Sequence, residues 1–364
     1  MKKKTKIIAT TGPAILGALQ SIDEFNHLPS NEKQKLITSL IDLVNHGVNV
    51  FRVNLSHNNE PYYRLVKYLV VILKNDYHLN VDIMFDTKGP EIRVSFLTAP
   101  RAVAMNEEIV LYTKQRNVMD GQIFLTDGSG TYNMASDVDK NDTILVDDGK
   151  LMLKVISKDV DLGEIKCIAL NTHTIRNNKR INLPHKNYSL PFLSKKDKDD
   201  LRLAYELGIN LIAISFISNQ NEIKDLINEI KQIDSNWKPT LIAKIETSEA
   251  IRNLTAIVHH FDMVMVARGD LSLETNFFMV PFLQDIIVKK CKEMGKPVII
   301  ATQLLDSLEK NILPTRAEVT DVFYAIKSNA EYLMLSGETA AGFNPLNAVD
   351  KLSEIIAFYE PKSF

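Results

Sequence analysis

The chain has 364 residues, 45% of them hydrophobic and 24% charged, and its 43 basic and 45 acidic side chains leave a net charge of −2. That balance gives no global electrostatic reason to expect nucleic acid or an anionic membrane as a partner, and the length leaves room for two domains with sizeable cores. The two cysteines, Cys167 and Cys291, form neither a metal-binding spacing nor a disulfide framework, no apolar stretch is long enough to span a bilayer, and the N-terminus is too polar for a signal peptide, so a reducing, cytoplasmic setting is expected.

The opening basic run, MKKKTK, reads as a solvated tail. Beyond it, eight short β-branched runs end in small or polar residues: KIIATTG (6–12), NVFRVNLS (49–56), VDIMFDTKG (81–89), NLIAISF (210–216), LIAKIE (241–246), MVMVARGD (263–270), PVIIATQ (297–303) and EYLMLSGET (331–339). Near-continuous apolar strands belong in parallel sheets buried on both faces. Helical spacing fills most of the gaps. Residues 31–47 end on Gly47 as a C-cap, residues 193–208 have the same form, and residues 344–360 open on Asn344 as an N-cap with Pro345 in the first turn. Eight strands alternating with helices predict an α/β fold, a (β/α)8 TIM barrel.

The alternation breaks between Pro90 and Leu190. There, short segments such as EEIVLYT and TILVDDGKLMLKVIS are separated by the turn signals DGQ, TDGSG and VDDG. This predicts a small all-β, barrel-like lid inserted over residues 90–190 after strand three, with residues 1–89 and 191–364 forming the catalytic barrel and INLPHKNYSLP (181–191) the hinge. An insertion at that end of a barrel strand lies over the active face.

In a barrel, catalytic groups come from the C-terminal ends of the strands. Arg52, Asn54 and Ser56 share one face of strand two, Asp86 and Thr87 end strand three, and Lys244 and Glu246 share a face of strand five. Asp270 ends strand six, Thr302 strand seven, and Ser336 and Glu338 strand eight. Each has a plain structural reading on its own. Lys244 and Glu246 read as a salt-bridged barrel pair, Thr302 as a buried hydroxyl, Asp147 and Asp148 as a hairpin turn, and His57, His259 and His260 as surface or core residues. Arg268-Gly269-Asp270 invites an adhesion reading that the cytoplasmic expectation weakens. Taken together, Glu246 and Asp270 can hold one hard divalent cation, while Arg52, Arg93 and Lys179 can neutralise phosphate oxygens. Gly269 admits close backbone approach, and a helix opening at LSLETN would offer amides to an anion. The set suits phosphoryl transfer, where catalysis is mostly positioning and charge neutralisation.

Ten segments occur in a telling order: TKIIATTGPA (5–14), GVNVFRVNLSH (47–57), DTKGPEIR (86–93), VDDG (146–149), NKRINLP (178–184), AKIETSEAIRN (243–253), VARGDL (266–271), ATQLLDS (301–307), PTRAEVTDV (314–322) and LSGETA (335–340). In them the chain resembles the pyruvate kinase family over nearly its full length. The resemblance implies phosphate transfer from phosphoenolpyruvate to ADP, giving pyruvate and ATP, with Mg²⁺ (or Mn²⁺) and K⁺ as cofactors. It implies Glu246 and Asp270 as divalent-metal ligands. It implies Asn54, Ser56, Asp86 and the Thr87 carbonyl as the K⁺ site, and Glu91 is the residue type that accompanies K⁺ dependence. Arg52 and Lys244 would contact the transferring phosphoryl, and Lys244 would also stabilise the enolate. Thr302 would lie near the substrate's methylene carbon, and Ser336 would join the proton relay. The Gly269 and Asp270 amides would bind the substrate carboxylate. Pro13, Arg52, Asn54, His57, Arg93 and Lys179 fall on the nucleotide side.

The chain departs from the family pattern in places. Ser272 stands where the family usually has glycine and Ser218 where it usually has arginine; the glycine that usually follows the histidine of SHNN is missing, and residues are added between the first strand and first helix. No segment matches the family's C-terminal α/β domain, so sugar-phosphate effector control is not expected. PTRAEV lies near a barrel–barrel interface in the family, which implies a homodimer, and a separate chain carrying the C-terminal domain is a further candidate partner. Beside an active enzyme stand two alternatives: a weak or inactive paralogue that binds phosphoenolpyruvate or nucleotide, and one chain of a split pyruvate kinase.

Overall fold

The computed structural model describes residues 4–114, 122–186 and 188–360. Residues 1–3 of the basic run, the Asp120-Gly121 turn signal and Asn187 of the hinge lie outside the described residues.

Eight parallel strands close a barrel in sequence order: β1 (Lys6–Thr10), β2 (Val48–Asn54), β3 (Asp82–Asp86), β4 (Leu211–Ile214), β5 (Thr240–Ile245), β6 (Met263–Ala267), β7 (Val298–Ala301) and β8 (Tyr332–Leu335), with β8 pairing back onto β1. Their apolar runs do not alternate with polar residues because both faces are buried. Ile8, Val50, Met84, Ala213, Ile242, Met265, Ile299 and Met334, one from each strand, form the barrel interior. Their neighbours, such as Ile7, Val53, Phe85 and Val264, belong to the larger core under the helices.

Local signals start and stop the helices. Helix α1 (Ser30–His46) ends at Gly47, whose φ of 131° lets its N–H reach the carbonyls of Leu43 and Val44. Helix α2 (Lys195–Glu206) opens on a reciprocal Ser194–Asp197 capping box. Helices α3 (Arg268–Glu274) and α4 (Val280–Glu293) follow β6, and α5 (Arg316–Lys327) follows β7. Helix α6 (Pro345–Tyr359) is capped by Asn344, as its sequence predicts. Among the described residues, no helix is long and apolar enough to cross a membrane.

Between β3 and α2 the chain leaves the barrel. Among the described residues, seven strands, the first Ile92–Ser95 and the last Arg180–Asn182, close a second and smaller barrel around Val94, Leu111, Leu125, Leu153 and Ile165. Asp147, Asp148 and Gly149, at φ of 54°, 58° and 79°, form the tight turn of the hairpin joining Thr143–Val146 to Leu151–Asp159. That turn closes onto α3, since a Cβ at Gly149 would sit 3.3 Å from the Leu273 side chain.

Candidate active site

A cleft of about 730 Å³ lies between the C-terminal ends of β2 to β6 and the lid. The barrel lends it Arg52, Asn54, Ser56, Thr87, Lys244 and Asp270; the lid lends it Arg93, Asp147, Lys179 and Arg180.

At its floor, register builds a charge cluster. Asn54 pairs with Asp86 across β2 and β3, and Ala213 of β4 lies beside Asp86 on the other side. Asp86 therefore sits between two cations: Arg52 Nε donates to Oδ2 at 2.8 Å, and Lys244 Nζ lies 3.0 Å from Oδ1. Lys244 is also 3.0 Å from Glu246 and donates to Ser215 Oγ at 2.7 Å. Burial works against the Asp86 charge, yet Lys244 and Arg52 together hold its carboxyl below the ordinary value. Burial likewise opposes the Lys244 ammonium, but Asp86, Glu246 and Asp270 outweigh it and raise its pKa, so Lys244 stays charged. Burial pushes the Glu246 carboxyl up to about 7, against the pull of Lys244 and with the repulsion of Asp270.

Glu246 supplies the first test of a cation site. Its Oε2 accepts from the Phe216 amide at 2.6 Å, while its buried Oε1 is ion-paired with Lys244 Nζ at 3.0 Å but accepts no well-aligned hydrogen bond among the described residues. A buried carboxylate oxygen left without a well-aligned hydrogen bond, with the Asp270 carboxylate nearby, fits a hard divalent cation. No group of three or more His, Cys, Asp or Glu side chains suited to a metal exists among the described residues. Two carboxylates with water and substrate completing the shell is the pattern Mg²⁺ prefers. For a monovalent cation, Asn54, Ser56, Asp86 and Thr87 offer an all-oxygen set. The Thr87 carbonyl already accepts from Ser215 Oγ at 2.7 Å and keeps a second lone pair.

Asp270 lies one step beyond its predicted place. β6 ends at Ala267, and Asp270 occupies the first turn of α3, which begins at Arg268 rather than at LSLETN. Arg268, the first residue past the apolar run, is the first residue of the helix. It is not an adhesion contact, for its side chain is only 11% exposed, donates to Asp321 at 2.7 Å and grips the Thr302 carbonyl through Nη2 at 2.6 Å. The Gly269 amide donates to Thr302 Oγ1 at 2.9 Å. Thr302, just past β7, is thereby held at φ 70°, a conformation rare for a β-branched residue. Thr302 does not line the cleft but stands behind its carboxylate end.

Residues 2–349 match the family described as "Pyruvate kinase, barrel domain". The pyruvate kinase of Mycoplasma pneumoniae is 43% identical over 98% of this chain and 72% of its own length. That of Mycoplasma genitalium is 41% identical with the same coverage, and that of Corynebacterium glutamicum is 37% identical over 99% of this chain and 70% of its own. The chain belongs to the pyruvate kinase family.

The remaining residues implied by that family resemblance spread around the site. Ser56 lies in the turn after β2 and, with Asn54 and His57, lines the cleft. Arg93 pairs with Glu91 at 2.9 Å, and Lys179 with Asp147 at 2.8 Å. Pro13 opens the short helix Pro13–Leu16 and lies exposed outside the cleft lining. Ser336 follows β8, and its buried Oγ has no hydrogen-bond partner among the described residues. Glu338 does not join the rim. It lies in the short helix Gly337–Ala340, where its carboxylate accepts from the Leu305 and Ser336 amides and ties two loops together. Ser272 continues α3 and donates to the Gly269 carbonyl at 2.7 Å. Ser218 donates to the Phe216 carbonyl at 2.9 Å.

Three residues at the site escaped the sequence reading. Ser215 joins Lys244 to Thr87; Phe216, at φ 60°, turns its amide to Glu246; and Arg180 reaches Asp270 from the lid. The first two lie at the end of the fourth apolar run, where polar strand ends were already informative. Arg180 sat in view beside Lys179.

Proposed function

We propose that this chain transfers phosphoryl from phosphoenolpyruvate to ADP, with Mg²⁺ or Mn²⁺ held by Glu246 and Asp270 and K⁺ held by Asn54, Ser56, Asp86 and Thr87. The observation that carries the reading is Lys244, buried yet charged, at the floor of a cleft lined by cationic side chains. Phosphoryl transfer from this donor leaves negative charge on both the phosphoryl group and an enolate. A preorganised ammonium facing that charge, with Arg52 fixed by Asp86, lowers the barrier without reorganising at the moment of reaction. The divalent ion, when bound, neutralises charge on phosphoryl oxygens. Asp270 and Gly269 offer amides for the substrate carboxylate; the Gly269 amide is shared with Thr302 Oγ1, so Thr302 moves with that pocket. Thr302, behind the carboxylate end of the cleft, would serve near the carbon that accepts the proton, and Ser336 would join the proton relay. Pro13, Arg52, Asn54, His57, Arg93 and Lys179 serve the nucleotide, and the lid at residues 90–190 covers it.

A homodimer is part of the reading. Phe277 and Phe278, in the turn before α4, and Phe282 in its first turn are 69%, 88% and 58% exposed. Tyr324 of the PTRAEV helix α5 bonds Asp285 of α4 at 2.9 Å, so the aromatic face adjoins that helix. Two buried free thiols, Cys167 and Cys291, support a cytoplasmic setting.

Pyruvate formation from phosphoenolpyruvate and ADP, followed with Mg²⁺ and with or without K⁺, tests the proposal. Turnover that needs both ions is expected. Turnover without K⁺ would remove the monovalent assignment. A folded protein that binds phosphoenolpyruvate without turnover would establish the inactive paralogue instead.

A further inference from the structure

Arg180 is carried by the last strand of the lid but ends between Glu91, at the lid's entry, and Asp270 of the barrel. Its Nη1 bonds Asp270 Oδ1 and lies 3.8 Å from Glu91 Oε1, and its guanidinium carbon stacks 4.9 Å above the Phe216 ring. Phe216 in turn donates its amide to Glu246. The Arg180 side chain is 14% exposed, and its Nε has no hydrogen-bond partner among the described residues. Charge and stacking therefore hold this guanidinium more than a complete set of hydrogen bonds does. It bonds one of the two carboxylates assigned to the divalent cation.

Resting on that assignment of Glu246 and Asp270, we propose that Arg180 is a resident counter-cation, that a divalent cation must displace it from Asp270, and that this exchange couples cation binding to the seating of the lid. The guanidinium and a dehydrated cation compete for the same carboxylate, because two positive charges at this spacing repel. The lid keeps a second tether when Arg180 lets go. Asn182 Nδ2 and Tyr188 OH both bond Glu274 Oε1, at 2.7 and 2.8 Å, on the same helix α3 that carries Asp270. Release of Arg180 thus loosens the strand Arg180–Asn182 at one end while the hinge remains anchored at the other. Linkage makes the coupling reciprocal: whatever frees Arg180 tightens the cation.

The test is Mn²⁺ binding to the whole, substrate-free chain, read by the spectroscopic signal of free Mn²⁺, for the wild type, Arg180→Gln, Arg180→Lys and Asp270→Asn. Amide hydrogen exchange over residues 180–182 is followed alongside. Arg180→Gln is expected to bind Mn²⁺ roughly tenfold more tightly, inside the range of about 5- to 150-fold typical of coupled sites. Arg180→Lys, with fewer donors and no stacking plane, should fall between it and the wild type. In the wild type Mn²⁺ should speed exchange at residues 180–182; in Arg180→Gln that exchange should already be fast and indifferent to Mn²⁺. Wild-type binding that Asp270→Asn abolishes, with unchanged or weaker binding in Arg180→Gln, overturns the inference and leaves the metal assignment standing. Binding by no variant, or equal binding by Asp270→Asn, overturns both. If Arg180→Gln fails to fold, Arg180→Lys decides, and an affinity equal to or below the wild type's overturns the proposal.

Discussion

Replacing Thr302 by glycine and by alanine should invert the usual stability order of those two residues. In ordinary backbone, glycine is less stable than alanine by about 0.5–1 kcal/mol because it loses more freedom on folding. Thr302 sits at φ 70°, where a residue with a Cβ is strained by about 1–2 kcal/mol and glycine is not. Both variants lose the hydroxyl that accepts from the Gly269 amide, a bond contributing about 1 kcal/mol. Alanine keeps the strain and loses the bond, so it should fall about 1 kcal/mol below the wild type. Glycine loses the same bond and some entropy but sheds the strain, so it should lie about 0.5–1 kcal/mol above alanine. Urea unfolding followed by circular dichroism gives the order from the midpoints when the slopes agree. Both variants should turn over slowly, since Arg268 and Gly269 hold Thr302 in place for its hydroxyl. Alanine equal to or more stable than glycine would refute the strain at Thr302.

Other outcomes follow from the same geometry. Lys244→Met should lower the rate of pyruvate formation at least about 10²-fold, the usual effect of deleting a preorganised charge-stabilising donor; a rate within about tenfold of the wild type would take Lys244 out of the chemistry. Burial pushes the Glu222 carboxyl up to about 7 from 4.5, although the Ser218 and Asn219 amides donate to it and favour its charged form. The folded state therefore holds this proton to higher pH than the unfolded chain. Its stabilising contribution is complete below the unfolded value and is lost as pH rises through about 7. Glu222→Gln should shrink the drop in thermal midpoint between about pH 5 and about pH 8, and an undiminished drop would sink that assignment. Phe278→Glu, at the most exposed aromatic of the turn just before α4, should convert a dimer to a monomer in sedimentation, with an unchanged mass counting against that face.

Much of the barrel was readable because a strand buried on two faces must be apolar throughout. Ile7 with Ile8, and Val264 with Met265, meet that demand wherever they occur. The strand-end groups Arg52, Asp86, Lys244 and Glu246 were readable for a related reason, since a charge that ends an apolar run must find a partner at the rim. The lid announced itself by the loss of alternation and by VDDG, which became a tight left-handed turn.

What the chain alone left open depended on where elements stop and on what distant strands touch. Asp270 and Glu338 looked like strand ends, yet β6 stops at Ala267 and β8 at Leu335, and each carboxylate then sits in the first turn of a helix. One was carried toward the lid and the other into a buried loop contact. Arg180 meets Asp270 across 90 residues of sequence, and periodicity carries no information about that separation. Side-chain chemistry and spacing thus determined which residues were buried and which carried charge to the rim. Only the closure of two barrels against each other decided which charges meet, because an ion pair acts through distance in space and leaves no period in the chain.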